Sequence, residues 1–279
     1  MGKIIPVLLI LLSLLMGQHD AATPKQGAQR IIALSPHAVE MLFAIGAGDR
    51  IIATLEYADY PKAALDIPRI GNFTGIQIEK IIALQPDLII GWKSGNKLAD
   101  LIKIESLGFT VFYSHPQNIT EISSELIKIG ELTGLENKAE AAAKNIQEQH
   151  QKIIYQYADK TKVRVFYQLW HDPLRTVGSD NWNAMLIKDC NGDNIFKDTD
   201  TPYPVVSLEN VLSKNPEVII IPHHSGSVNV KKDLWNKWQY IKAVKQRRIF
   251  TLDGDLLHRF GPRAIEGLAL LCEAIDSGR

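Results

Sequence analysis

The chain has 279 residues, 46% of them hydrophobic, with 31 basic and 31 acidic side chains. Domains cluster near about 100–150 residues, so this length holds one large domain or two modest ones, each with its own core. A formal net charge of zero excludes the basic footprint of a nucleic-acid binder, and no nucleic-acid partner is expected.

The chain opens with MGKIIPVLLILLSLLM, in which Lys3 precedes a largely apolar run of 13 residues. That run is short of the roughly 20 residues a spanning helix needs, so residues 1–22 read as a cleavable signal peptide and the mature chain as exported. No cysteine follows the run, which argues against a lipid anchor. Only Cys190 and Cys272 are present, and in an exported chain a lone pair predicts one disulfide, the alternative being two buried thiols.

Next, RIIALS (residues 30–35) is a short apolar strand, and Pro36 begins PHAVEMLFAIGAG, a helical pattern stopped at Gly46 and Gly48. RIIATL, DLIIGW and FTVFYS repeat the strand signal, each beside an amphipathic segment such as KLADLIKIESLG. This alternation predicts an α/β fold with mainly parallel sheets. From Glu136 to about Tyr157, ENKAEAAAKNIQEQHQKIIYQY contains no glycine or proline and predicts one long helix of about six turns. A second α/β series follows, through VRVFYQLW, the segment around MLIKDC, EVIIIP, RRIFTLD and a last helix near RAIEGLALLCEAI. The expected organisation is an N-terminal lobe over residues 30–135, a linking helix over 136–158 and a C-terminal lobe over 162–279.

A diverged internal repeat supports two lobes. IEKIIALQPDLII (78–90) aligns with LENVLSKNPEVII (208–220), with four identities and mostly conservative exchanges. Each copy is a helix with a glutamate near its start, ended before Pro86 or Pro216, running into an apolar strand. Glu79 and Glu209 thus occupy equivalent places, one per lobe, as a two-point docking site requires.

The sequence contains no nucleophile elbow, HExxH, P-loop or dinucleotide glycine fingerprint, so no enzyme, catalytic residue or resident metal is expected. His223 and His224 in HHSGS could suggest a metal-dependent enzyme, but neighbouring residues at a strand end point to opposite sides, and a solvated loop pair is the simpler reading. The aromatic residues Tyr57, Phe73, Trp92, Trp170 and Tyr203 fall at strand ends or in connections, where α/β folds bind ligands. Rings on opposing loops suit a large, flat, apolar ligand.

The segments RIIALSPHAVEMLFAIGAG, YADYP, GIQIEKIIALQPDLIIGWKSGN, SLGFTVFY, CNGDNIFKD, TPYPVVSLENVL and HRFGPRAIEGLALLCEAI closely resemble the periplasmic cobalamin-binding proteins of bacterial ABC importers, within the class of siderophore, haem and corrinoid receptors. The resemblance covers nearly the whole mature chain. It implies two Rossmann-like lobes on a single helix (a class III periplasmic binding protein), a periplasmic location, a monomer, and cobalamin or a related corrinoid as transported ligand, with no catalytic cofactor. It implies ligand contacts at Tyr57, Phe73, Trp92 and Tyr203, and at Trp170 beside Leu169, where the family has an aromatic. The loop Gly254, Asp255, Leu256, Leu257, His258 and Arg259 matches a ligand-contacting loop, with leucines in place of aromatic residues. It also implies that Glu79 and Glu209 dock on permease arginines, with the importer's ATPase behind them, and that Cys190 pairs with Cys272. A haem or ferric-siderophore receptor is the alternative, for which His258, Arg259 and Arg263 are the residues to watch.

Overall fold

The computed structural model describes residues 27–224 and 233–279. The expected signal peptide lies outside the described residues.

The first lobe is built on a parallel sheet. Strand β1 (Ile31–Ala33) is wholly buried and leads through Ser35 into α1 (Pro36–Ala44). The Ser35 hydroxyl accepts from the Ala38 N–H, and Pro36 sits in the first turn, where a missing donor costs nothing. There follow β2 (Ile51–Thr54), a small antiparallel hairpin of β3 (Gly71–Asn72) and β4 (Gly75–Ile76), α2 (Ile78–Leu84), β5 (Leu88–Trp92), α3 (Leu98–Ser106) and β6 (Val111–Ser114). The sheet order is β2-β1-β5-β6, with every pair parallel. Helix α4 (Ile119–Thr133) turns at Gly134, whose φ of 67° is the left-handed cap that favours glycine, into α5 (Glu136–Tyr157).

The 22-residue α5 is the single long helix of about six turns that the sequence predicts from Glu136 to about Tyr157. Its buried positions Ala139, Ala143, Ile146, His150 and Tyr157 form a stripe on one side. His150 Nε2 lies 2.7 Å from Asp189 Oδ2, which ties this helix to the second half.

The second lobe repeats the first. It runs through β7 (Val163–Tyr167), the hairpin of β8 (Trp170–His171) and β9 (Leu174–Arg175), α6 (Trp182–Asp189), β10 (Gly192–Asn194), α7 (Leu208–Lys214), β11 (Val218–His223), α8 (Asp233–Asn236), α9 (Lys242–Lys245), β12 (Ile249–Asp253), α10 (Gly254–His258) and α11 (Ala264–Asp276). Its parallel order, β10-β7-β11-β12, copies that of the first sheet. One hydrophobic cluster runs from α1 through the inner stripe of α5 to β7 and α11, so the two lobes share a core. Cys190, the C-cap of α6, is bonded to Cys272 in α11, the pairing expected from the sequence. Closing a separation of 82 residues stabilises the fold by about 4 kcal/mol on the chain-entropy model.

The segment from Gly254 to Arg259 departs from expectation. It is a short helix, α10, followed by Arg259 as its C-cap, and not a loop. Asp253 caps it by accepting from the Asp255 N–H at 2.8 Å.

Candidate functional site

A cavity of about 540 Å³ lies where the two lobes face each other, within the range typical of small-molecule sites. Its walls come from the carboxyl ends of parallel strands: Leu34 after β1, Leu55 to Tyr57 after β2 and Trp92 at the end of β5 in one lobe, His224 after β11 and Asp255 after β12 in the other.

Of the expected ligand contacts, Tyr57, Phe73, Trp92, Asp255, His258 and Arg259 line this cavity together. Trp170, Tyr203, Gly254, Leu256 and Leu257 are not among its lining residues. The helical form of α10 explains the division. Asp255, His258 and Arg259 stand at i, i+3 and i+4 and share one face, whereas Leu257 turns into the core and its carbonyl accepts from Trp182 Nε1 at 2.8 Å. Trp170 and Tyr203 are 56% and 41% exposed, on the hairpin of β8 and β9 and a neighbouring bend linked by Arg175, whose Nη1 donates to the Tyr203 carbonyl.

The aromatic wall is held from behind. Trp92 lies across the turn that follows it: a Cβ at Gly95 would fall 1.9 Å from the indole, so only glycine fits there. Asn96 accepts from the Trp92 N–H at 2.7 Å and donates to the Leu34 carbonyl at 2.8 Å, joining the turn to the end of β1. Trp92 Nε1 is buried and has no hydrogen-bond partner among the described residues. Tyr57 adopts φ 68°, an uncommon backbone for a bulky residue, and with Phe73 forms the open rim, the two being 67% and 66% exposed.

The polar wall is a connected chain. His224 Nδ1 is 2.8 Å from Asp255 Oδ1, His224 Nε2 is 3.3 Å from His258 Nδ1, and His258 Nε2 is 2.8 Å from the Tyr167 hydroxyl. Burial pushes the Tyr167 hydroxyl well above its ordinary pKa, so it donates. Burial, with repulsion from His224 and against the pull of Asp255, lowers the His258 imidazole to about 4. The hydrogen bond from His224 and the charge of Arg259 hold Asp255 below the usual carboxylate range. His37, also in the lining, is held down to about 3 by burial and by His115.

Beneath the cavity, charges cross between lobes. Arg263 donates to the buried Glu40 of α1 through Nη2 at 2.7 Å and Nε at 3.1 Å, and Arg259 bridges Asp255 at 3.0 Å and Asp59 at 2.6 Å. The Phe260 ring lies 5.7 Å from that of Trp92 and 4.8 Å from that of Trp182.

Sequence reasoning missed His37, Glu40, Asp59 and His224 as members of this region. A lone acid inside the apolar run AVEMLFA was the available signal for Glu40. His223 and His224 do diverge as expected: His223 Nδ1 meets the Leu252 carbonyl at 2.8 Å, whereas His224, just past the end of β11, is more than half exposed and lines the cavity. Among the described residues, no group of three or more His, Cys, Asp and Glu side chains gathers as a metal site would. Glu79 and Glu209 are both exposed in the first turn of their helices, and neither is among the residues that line the cavity.

Two parallel-sheet lobes on one connecting helix, with a cavity between their strand ends, define the class III periplasmic binding protein architecture. The match to the periplasmic binding protein family spans residues 31–256, and the chain belongs to that family. It is 37% identical to a vitamin B12-binding protein of Vibrio cholerae, over 88% of each chain. It is 34% identical to one of Vibrio parahaemolyticus, over 89% of this chain and 90% of the relative. The crystal structure of the periplasmic vitamin B12 binding protein BtuF of Vibrio cholerae superimposes with a TM-score of 0.83 at 36% identity, covering 90% of this chain and 98% of the other.

Proposed function

We propose that this protein is a periplasmic receptor that captures cobalamin between its lobes, residues 30–135 and 162–279, and delivers it to the permease of an ABC importer after export by a cleaved signal peptide. The observation that carries the reading is the cavity at the strand ends, with Tyr57, Phe73 and Trp92 on one wall and Asp255, His258 and Arg259 on the other. Rings bury the apolar faces of a corrin, and the polar wall suits its peripheral amides. The buried, unpartnered Trp92 Nε1 is a donor that a ligand carbonyl would satisfy; left unsatisfied, it costs about 1–3 kcal/mol. The names of the vitamin B12-binding relatives point the same way. The role is capture and transfer without catalysis, as a monomer.

Glu79 and Glu209 are the docking points, each an exposed acid in a helix's first turn. A haem or ferric-siderophore receptor is the second reading, favoured by the imidazoles of His224 and His258 in the cavity wall. Calorimetric titration with cobalamin, cobinamide and haem in parallel decides between them. The expected result is saturable binding of cobalamin; binding of haem with neither corrinoid bound would transfer the role to the second reading.

A further inference from the structure

Besides its three histidines, the interlobe cavity is lined by four charged side chains, Glu56, Asp59 and Asp255 against Arg259. The one guanidinium is already committed. The Arg259 side chain is 11% exposed and holds Asp59 through Nη1 at 2.6 Å and Asp255 through Nη2 at 3.0 Å, with Glu40 at 3.5 Å. Arg263, beneath, is committed to Glu40. Burial keeps His37 and His258 neutral at neutral pH, and His224 is turned to Asp255 through Nδ1. Counting His224 as a cation still leaves the acids ahead, three to two. Such a lining offers a ligand carboxylate no uncommitted guanidinium.

Glu56 is the acid left over. It is exposed on the rim beside Tyr57, and among the described residues no ion pair includes it. Its backbone fixes its position: the Glu56 N–H donates to the Gly71 carbonyl at 3.0 Å, tying it to the hairpin of β3 and β4 that carries Phe73 at its turn. That tie is itself tight, since Gly71 has φ 140° and a Cβ there would fall 2.3 Å from the Gly75 carbonyl oxygen.

We propose that Glu56 selects the captured chelate by the charge of its periphery, admitting a macrocycle edged with amides and rejecting one edged with carboxylates. This inference rests on the receptor reading and deepens it. An amide edge can donate an N–H to Glu56, whereas a carboxylate has only acceptors and meets like charge in a partly desolvated site, where water and salt screen it less. Corrinoids carry the first kind of edge, and porphyrins with propionates the second. The rings of Tyr57, Phe73 and Trp92 cannot make this distinction, because they bury either macrocycle, so the discrimination has to come from a repulsive element.

Cyanocobalamin and its derivatives with one peripheral amide hydrolysed to a carboxylate are the probes, since they differ by one charge and keep the same metal and axial ligands. By calorimetry the unaltered protein should bind at least one of these acids about tenfold or more weakly than the amide, and added salt should narrow the gap. In Glu56→Gln the ratio of the two affinities should narrow by about threefold or more, and in Glu56→Lys it should narrow further. Binding of every acid as tightly as the amide by the unaltered protein, a gap that salt does not change, or a ratio that both substitutions leave as it was overturns selection by Glu56 and leaves the receptor reading standing. If cyanocobalamin itself does not bind, the cobalamin receptor reading falls and the proposal falls with it.

Discussion

His37 shows how a single buried imidazole makes the fold sensitive to acid. Ser114 gives its hydroxyl hydrogen to Glu125, so His37 donates from Nε2 to the Ser114 oxygen and is held as the neutral tautomer. Its pKa is held down to about 3, and that of His258 to about 4, from an ordinary 6.5. Unfolding returns both rings to water and to about 6.5. Between that value and about 4 the unfolded chain binds more protons than the folded one, so stability rises with pH across this window and is lost as pH falls through it. Moving from pH 7 to pH 5 should therefore cost about 2 kcal/mol for each of the two histidines. Urea unfolding at the two pH values should register this, and His37→Asn should lose about half of the difference. An equal urea midpoint at both pH values would show that these rings are not neutral in the fold.

At the scale of elements, α2 and α7 make the internal repeat a structural one. Each has seven residues and ends in a left-handed residue, Gln85 at φ 45° and Asn215 at φ 43°, before a proline and a buried strand. An acid in a first turn interacts favourably with the helix dipole by about 0.3–1 kcal/mol, so Glu79 and Glu209 are tolerable without any partner. Docking asks more of them, since both must meet cations on one membrane-facing surface. Replacing both by lysine should abolish uptake in vesicles reconstituted with the importer while calorimetric ligand binding is unchanged; undiminished uptake would remove the docking role. These helices were legible in the sequence because their signals are local: a starting acid, apolar spacing and a stopping proline. Helix α10 was not, because five residues beginning at Gly254 are too few for periodicity to show. The place of His224 in the cavity wall was hidden for a different reason. Its carboxylate partner is 31 residues away and reaches it only through the pairing of β11 with β12. Trp170 and Tyr203 carried the same composition signal as Trp92, but an aromatic at a strand end does not reveal which way its hairpin leans.

Across the whole molecule, the two lobes are joined by α5, by one continuous core and by the ion pairs of Glu40, Arg263, Arg259 and Asp59. The linking helix and the shared core oppose wide opening, but neither sets the small angle on which the width of the cavity depends. Glu40 can. It is 3% exposed, it projects from α1 just behind cavity-lining His37, and it takes two hydrogen bonds from Arg263 at the start of α11. The close approach at this point is also steric, since a Cβ at Gly261 would stand 3.1 Å from Glu40 Oε2. A buried pair adds little stability over a matched apolar pair, but losing one partner strands the other charge at a cost of about 3–5 kcal/mol. Glu40→Gln should therefore lower the unfolding free energy by a large part of that amount, because Asp59 neutralises Arg259 but no acid replaces Glu40 at Arg263. It should also broaden the interlobe distance distribution between spin labels at the exposed positions Leu98 and Tyr240. The double replacement of Glu40 by Leu and Arg263 by Met should recover most of the stability while leaving the distribution broad, which separates the cost of a stranded charge from the loss of a directional tie. If Glu40→Gln unfolds at the same denaturant concentration and keeps the original distance distribution, the lobe angle is set by α5 and the core alone.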